Sequence, residues 1–222
     1  MNQEEPGTKT RLLDAAERLF AECGFAATSL RAITAQAGVN LAAVNYHFRS
    51  KQALLEAVFA RRLDLINRQR LELLAAAEAR ARRRPPPLED ILEAFVGPVF
   101  RLRAELGAAA ASFQRLMGRL FVEPGENVQR LLKEQFGGVA ARFLPAFEKA
   151  LPQLPSADLA ARIHFTVGAM AHTLAGTNLM RVFLSDRYDL SDAEATIHRL
   201  VAFLAAGLRA PLSGRRPRRA RS

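Results

Sequence analysis

The stretch from Thr28 to Lys51, TSLRAITAQAGVNLAAVNYHFRSK, constrains the fold most, because it reads as two short helices joined by a tight turn. The side-chain oxygen of Thr28 or Ser29 can cap the first helix, and that of Asn40 can cap the second. Between them, Gly38 stands where a helix ends in the left-handed conformation that glycine adopts easily. A helix, a short glycine-containing turn and a second helix make a helix-turn-helix, whose second helix lies in the major groove of DNA.

Helical spacing of apolar residues continues on both sides of this motif and predicts an all-α chain. A first helix over residues 8–23 ends at Gly24, and a fourth helix, capped by Ser50, runs from residue 51 to about residue 80. The prolines of RRRPPP at 82–87 forbid a continuous helix. Further helices are predicted over residues 88–105, 108–122, 126–151, 156–184 and 191–209, with Pro98 and Pro145 kinking or breaking two of them.

The basic charge is unevenly distributed along the chain, whose formal net charge is +10. Residues 53–84 hold eight basic and four acidic side chains, residues 85–210 hold thirteen of each, and the last twelve residues hold five arginines. A neutral body with a basic end fits a nucleic-acid binder, although a solvated face with a disordered tail fits equally. The charge distribution and the helix pattern together predict four segments: a helix-turn-helix domain (1–52), a connecting helix (53–84), a second helical domain (88–210) and a disordered basic tail (211–222).

The motifs that are missing argue against several classes of function. The single cysteine, Cys23, permits no internal disulfide and no metal site built on thiolates, and it is predicted to be buried and inert. The chain contains no glycine-rich phosphate loop, HExxH, CxxC or GxSxG, so no enzyme activity, catalytic residue, cofactor or metal is expected. His164 and His172 fall on a similar helix face, which fits either a metal or effector role or a pair of satisfied, partly buried histidines.

Residues 163–180 contain no Lys, Arg, Asp or Glu and are the stretch to weigh as a membrane span. Their polar side chains, including His164, Thr166 and Asn178, would be costly in a hydrocarbon core. A buried helix of a soluble protein is the better interpretation, so no membrane partner is predicted. The polar, acidic N-terminus is unlike a signal peptide, and the expected location is cytoplasmic.

The N-terminal region resembles the DNA-binding domain of the TetR family of transcriptional regulators. The segments that carry the resemblance, within roughly residues 8 to 62, are LLDAAERLFAECGF (12–25), TSLRAITAQAGV and NYHFRSKQALLEAVF, which includes the family's YHF…K element. The longer run SLRAITAQAGVNLAAVNYHF is similar to the PsrA-type subgroup, which senses long-chain fatty acids. The resemblance implies a regulator that binds double-stranded DNA through residues 1–52 and binds an effector and dimerises through residues 88–210.

By position, the resemblance implies that Leu41, Ala42 and Ala43 face the bases, where their apolar side chains can contact thymine methyl groups only. Directional readout then falls to Asn45, which can contact adenine bidentately, and to Arg31, which can reach guanine O6 and N7.

The phosphate contacts implied by the resemblance belong to Tyr46, His47 and Lys51 and to the start of the first motif helix at Thr28 and Ser29. The alternative for Tyr46 and His47 is that they cover the edge of the motif, and Lys51 is alternatively a surface charge.

The resemblance also implies that two C-terminal helices from each subunit form a four-helix dimer interface, with packing inside one subunit as the alternative. Small residues allow close approach in one helix, and apolar residues recur with helical spacing in the other. The predicted interface residues are Gly168, Ala175, Gly176, Leu200, Phe203 and Leu204.

The effector pocket is predicted among the Phe and Met residues of the second half, although such residues also make ordinary core. An arginine there would pair with a carboxylate. The candidate pocket residues are Phe113, Arg115, Met117, Phe143, Phe165, Met170 and Arg181.

The function expected from all these features is that of a homodimeric repressor released from a pseudo-palindromic operator by a long-chain fatty acid or acyl-CoA. The alternatives are a TetR-type regulator of the efflux or catabolism of drugs or aromatic compounds and a constitutive DNA-binding protein.

Overall fold

The computed structural model describes residues 7–106, 108–120, 126–175, 183 and 192–212, and over these residues the chain is helical without any strand. The helices are α1 (Thr8–Cys23), α2 (Leu30–Ala37), α3 (Leu41–His47), α4 (Lys51–Ala81), α5 (Leu88–Leu106), α6 (Ala108–Leu120), α7 (Glu126–Ala150), α8 (Ser156–Ala175) and α9 (Ala193–Arg209). The predicted all-α class is confirmed. The predicted disordered tail lies outside the described residues from position 213 onward.

Local capping explains why the helices around the turn begin and end where they do. The side-chain oxygens of Ser29, Asn40 and Ser50 each accept a hydrogen bond from the backbone N–H three residues later, at 3.0 to 3.1 Å. Gly38 follows α2 with φ 63°, in the left-handed region where glycine avoids the strain of a Cβ atom. These short-range interactions define the helix-turn-helix, and Ser29, not Thr28, is the cap of α2.

Pro98 and Pro145 lie inside α5 and α7, and both helices continue past them. The sequence predicted that each proline kinks or breaks its helix; neither helix is broken, and a kink stays a prediction. A proline removes one backbone donor but leaves the rest of the helix intact when neighbouring elements pack around it.

Helices α1, α2 and α3 form an N-terminal unit, with α1 packed against both of the others. Helix α1 also contacts α4 and α6, so this unit is attached to the second half of the chain at two places. In that half, α5 lies between α4 and α9, α7 covers α4, and α8 packs on α6 and α9. The long helix α4 thus reaches from the helix-turn-helix unit into the C-terminal bundle.

Cys23 is exposed, which corrects the prediction that it is buried. Its helical position falls on the same side of α1 as Leu12, Ala16 and Phe20, all of them buried. The residue is, however, the last of the helix. Periodicity gives the direction of a side chain and not whether another element covers it there.

Candidate nucleic-acid interface and ligand cavity

The start of α3 presents a solvent-exposed surface made from most of the predicted base-reading residues. Leu41, Ala42 and Asn45 are exposed, and Ala43 is half-buried. Tyr46 is 85% exposed. An exposed tyrosine with a free hydroxyl suits a surface that meets a polar partner, because its ring is apolar and its tip can donate or accept a hydrogen bond. The predicted base-reading residues on α3 are therefore accessible to a partner, except for the half-buried Ala43.

Arg31, Ser29 and His47 flank this surface. Arg31 and Ser29 are exposed, and Arg31 makes no ion pair within the described part of the chain. His47 is half-buried and its ring lies edge-on to that of Tyr46, with 5.0 Å between the ring centres. All three side chains are at least partly exposed, and His47 contacts Tyr46 of α3.

Thr28 and Lys51, also predicted to contact phosphates, are directed into the protein instead. Thr28 is buried, and its hydroxyl donates to the carbonyl of Gly24 at 2.7 Å. The Lys51 ammonium donates to the carbonyls of Phe25 and Thr28 at 2.8 and 2.9 Å. Both side chains close the loop between α1 and α2, a role that the motif pattern did not reveal.

A buried ion-pair network joins the helix-turn-helix unit to α4. Glu17 on α1 is 2% exposed, and its carboxylate accepts from Arg61 at 2.6 Å and from Arg62 at 3.1 Å. Arg61 also pairs with the more exposed Asp14 at 2.7 Å. Because a buried carboxylate needs such partners, this network constrains how α4 sits against α1.

Further along α4 lies a cavity of about 220 Å³ between α4, α5, α7 and α8. All of its described lining residues are apolar except one, Arg70 on α4. The lining residues are Arg70, Phe95, Leu132, Phe136, Val139, Ala140, Phe143, Leu144, Phe147, Ile163, Val167 and Met170.

Arg70 is only 1% exposed. Its Nε donates to the carbonyl of Phe95 at 2.8 Å, and one Nη donates to Oδ1 of Asn67 at 3.2 Å. Its guanidinium carbon lies 5.1 Å from the ring centre of Phe95 and 5.8 Å from that of Phe136. Burial lowers the pKa of Arg70 to about 10, so the group stays charged at neutral pH.

Sequence reasoning overlooked Arg70, although a signal was present. Leu63, Ile66, Arg70 and Leu74 follow one another at intervals of three and four residues, and all four are buried. A charged residue in an apolar stripe of this spacing is the pattern that could have indicated a buried cation.

Of the predicted pocket residues, Phe143 and Met170 line the cavity. Phe113 and Met117 are buried elsewhere, and the ring of Phe113 packs 5.6 Å from that of Phe59. Phe165 and Arg115 are exposed, and Arg181 lies outside the described residues. Phe113, Met117, Phe165 and Arg115 therefore do not line this cavity, because helix periodicity does not show which neighbouring helix a side chain faces.

Exposed aromatic side chains lie on α8 and α9, two helices that contact each other, and the surface that carries them is called the aromatic face below. Phe165 and Phe203 are 66% and 69% exposed. Beside them, Gly168 is exposed, and a Cβ added to it would meet no atom within 4 Å. Large exposed aromatic side chains on two contacting helices are typical of a surface that another molecule covers.

Three other predicted interface residues, Leu200, Leu204 and Ala175, do not belong to this face. Leu200 and Leu204 are buried inside the chain, because the face of α9 that carries them belongs to its core. Ala175 is half-buried against α6, where a Cβ added to Gly118 would come within 2.7 Å of its Cα atom. Gly176 lies outside the described residues. The interface prediction is thus corrected for Leu200, Leu204 and Ala175.

Neither a membrane-spanning helix nor a metal site is found among the described residues. No helix there is both long and apolar enough to cross a membrane. No group of three or more His, Cys, Asp or Glu side chains could hold a metal ion in those parts of the chain, and His164 and His172 are both exposed.

Comparison with known proteins matches both halves of the chain to one family. The sequence model described as "Bacterial regulatory proteins, tetR family" matches residues 12–58, and that described as "Tetracyclin repressor-like, C-terminal domain" matches residues 93–207.

Among curated relatives, the transcriptional regulator UidR of Escherichia coli K12 is 38% identical over 58 residues, which cover 26% of this chain and 30% of the relative. The transcriptional repressor KstR2 of Rhodococcus jostii RHA1 is 36% identical over 70 residues, covering 32% of this chain and 34% of that protein. The chain thus aligns with only about a third of the length of these relatives.

Solved structures match nearly the whole chain. The fatty acid degradation regulator FadR from Bacillus halodurans has a TM-score of 0.62 at 18% identity, covering 90% of this chain and 98% of that chain. A complex of SmeT with triclosan has a TM-score of 0.59 at 19% identity, covering 93% and 96%. At such identities the similarity establishes the fold alone.

Proposed function

The chain belongs to the TetR family of bacterial regulatory proteins, and from this premise we propose that it is a homodimeric repressor that a fatty acid or acyl-CoA releases from a pseudo-palindromic operator. As a member of that family it is a DNA-binding transcriptional regulator. The repressor role, the dimer and the class of effector belong to the proposal.

The observation that carries this proposal is the course of α4. Near its start, Arg61 and Arg62 pair with Glu17 of the helix-turn-helix unit, and Arg70 of the same helix lines the cavity. Arg62 and Arg70 are eight residues apart, which is about 12 Å along the helix. A ligand that moves α4 at the cavity therefore also moves Arg61 and Arg62, which pair with Glu17 of α1. Effector and operator would then act on the same two-state element, α4.

The exposed surface of α3 supports the proposed DNA contacts. Arg31 and Asn45 supply the hydrogen-bonding groups that distinguish base pairs in the major groove, whereas Leu41 can contact a thymine methyl group. Ser29, Tyr46 and His47 are the proposed phosphate contacts, which would set the register of α3 on the duplex. Thr28 and Lys51 contribute by holding the loop before α2.

The exposed face with Phe165 and Phe203 supports the proposed dimer. A two-fold axis through this face would bring the same aromatic side chains of two subunits together and remove them from water. A two-fold symmetric protein reads an operator with the same symmetry, so the proposal includes a pseudo-palindromic site.

The apolar lining of the cavity supports an alkyl ligand, because each buried CH₂ contributes about 0.8 kcal/mol without any polar contact. The similarity of NLAAVNYHF and its flanks to fatty-acid-sensing regulators points the same way. An aromatic drug is the second candidate, since the SmeT structure with the same fold holds triclosan.

The test begins with selection of an operator from a randomised DNA library, followed by titration of the complex with acids and acyl thioesters of increasing length. We expect release by long chains at micromolar concentration and none by short chains. Release by aromatic or cationic drugs alone would favour the drug-sensing alternative, and release by no compound would favour a constitutive DNA binder.

The same library tests the assignment of base and phosphate contacts. Arg31→Ala should relax specificity at one base pair and cost about 1–3 kcal/mol, because a bidentate base contact is lost. Tyr46→Phe should weaken binding to all sequences about equally, because a phosphate contact carries no sequence information. If both variants weakened binding to all DNA sequences about equally, Arg31 would not read a base.

A further inference from the structure

Arg70 is a buried cation in an apolar cavity, and none of the described residues offers it a carboxylate. Its hydrogen bonds use Nε and Nη1, and Nη2 makes none within the described part of the chain. The Phe95 carbonyl, the Asn67 amide oxygen and two aromatic rings compensate part of the lost hydration. A buried charge of this kind is usually paired, and no counter-ion for Arg70 is found among the described residues.

We propose that Arg70 is the anion receptor of the effector cavity and that the effector is a free carboxylic acid with an apolar chain. The carboxylate accepts hydrogen bonds from the guanidinium, including Nη2, which bonds to none of the described residues, and the chain lies along the apolar lining near Phe143 and Met170. This inference rests on the proposed function, because it takes this cavity as the effector site and chooses between the two ligand forms named there.

The contents of the cavity favour the free acid over its coenzyme A thioester. A thioester carbonyl carries no charge, so it would leave the guanidinium without a counter-ion. Nothing else polar among the described lining residues would hold the phosphates and the nucleotide of coenzyme A. The cavity, at about 220 Å³, is also smaller than the ~300–1,000 Å³ of typical ligand pockets, which suits a chain with one small head group.

The first experiment uses the unaltered protein without DNA and measures the binding of dodecanoic acid, dodecanol, methyl dodecanoate and dodecanoyl coenzyme A by calorimetry at neutral pH. We expect the acid to bind about 10- to 100-fold more tightly than the alcohol or the ester, the factor that one charge-assisted hydrogen bond supplies. If the alcohol or the ester binds within about threefold of the acid, or if the thioester binds best, the inference is overturned.

The second experiment separates anion binding by Arg70 from a purely structural role. In Arg70→Met the preference for acid over alcohol should disappear while the alcohol still binds, and Arg70→Lys should restore part of the preference because it keeps a charge. Arg68→Met is the matched control, since Arg68 is exposed on the same helix. Equal losses for acid and alcohol in Arg70→Met would show that the residue only maintains the cavity.

Operator binding, measured separately, distinguishes failure of the inference from failure of the proposed function. If the acid releases DNA equally well from the unaltered protein and from Arg70→Met, the repressor proposal survives and the role of Arg70 is wrong. If no amphiphile binds at all, both the inference and the fatty-acid effector are wrong, while selection of an operator would still support the DNA-binding role. If Arg70→Met does not fold, the ligand series on the unaltered protein decides.

Discussion

At the scale of single residues, Lys51 illustrates how a charged side chain near a DNA-reading surface can serve the fold. Its ammonium donates to carbonyls of the loop between α1 and α2 and lies 4.5 Å from the centre of the Phe25 ring. That loop positions the start of α2, and α4 begins at Lys51 itself. The Lys51 side chain therefore connects the loop before α2 to the start of α4.

We predict that Lys51→Met lowers the free energy of unfolding by about 2 kcal/mol, because at least one charge-assisted hydrogen bond in a partly buried site is lost. Urea denaturation measures this change. Lys9→Met, at an exposed position of α1, is the control and should have almost no effect.

The salt dependence of DNA binding separates this role from phosphate contact. A lost phosphate contact reduces the slope of log K against log salt by about one. We expect the slope of Lys51→Met to stay unchanged. A reduced slope with unchanged stability would restore the phosphate role of Lys51.

At the scale of helices, the contact between α1 and α4 depends on Glu17. Its carboxylate is almost fully buried and serves two arginines of α4, whose side chains are 22% and 12% exposed. Removing the charge of Glu17 leaves two largely desolvated cations without their main partner. Asp14 serves the same Arg61 but is 47% exposed, so water compensates for its loss.

Glu17→Gln should therefore destabilise the protein by about 3 kcal/mol, the cost of leaving a buried ion pair incomplete. Asp14→Asn, which removes a charge from the exposed part of the same network, should cost about 0–1 kcal/mol. Chemical denaturation of the two variants provides the comparison. Similar small effects of both substitutions would mean that the network does not hold α1 on α4.

At the scale of the whole molecule, the two halves of the chain present two kinds of surface. The N-terminal unit exposes the α3 surface with Asn45 and Tyr46, and the C-terminal bundle exposes aromatic residues on α8 and α9. The cavity lies between these surfaces along α4. In the proposed dimer the aromatic face sets the separation of two α3 helices, and the cavity controls that separation.

We predict a dimer at micromolar concentration and a folded monomer for Phe203→Asp, because the introduced carboxylate would be desolvated in the interface but solvated in the free subunit. Sedimentation velocity measures the assembly state, and circular dichroism confirms that the monomer is folded. Leu73→Asp, at an exposed position of α4, serves as the control and should remain dimeric. A monomeric unaltered protein would refute the proposed interface.

The local parts of the fold followed from the sequence, because their causes lie within a few residues. Asn40 and Ser50 cap helices at the predicted positions, and Gly38 ends α2 in the left-handed conformation. A cap needs only a backbone N–H three residues away, so its signal is present in a short stretch of sequence. The helix-turn-helix itself is an assembly of such signals.

What only the tertiary structure decided is which side chains meet across the chain. Lys51 reaches a loop more than twenty residues earlier, Leu200 faces the core, and Arg70 meets Phe95 at the cavity. Helical periodicity states the direction of a side chain relative to its own axis. Whether that direction leads to solvent, core or cavity depends on how the helices pack, and packing is set by contacts between distant segments.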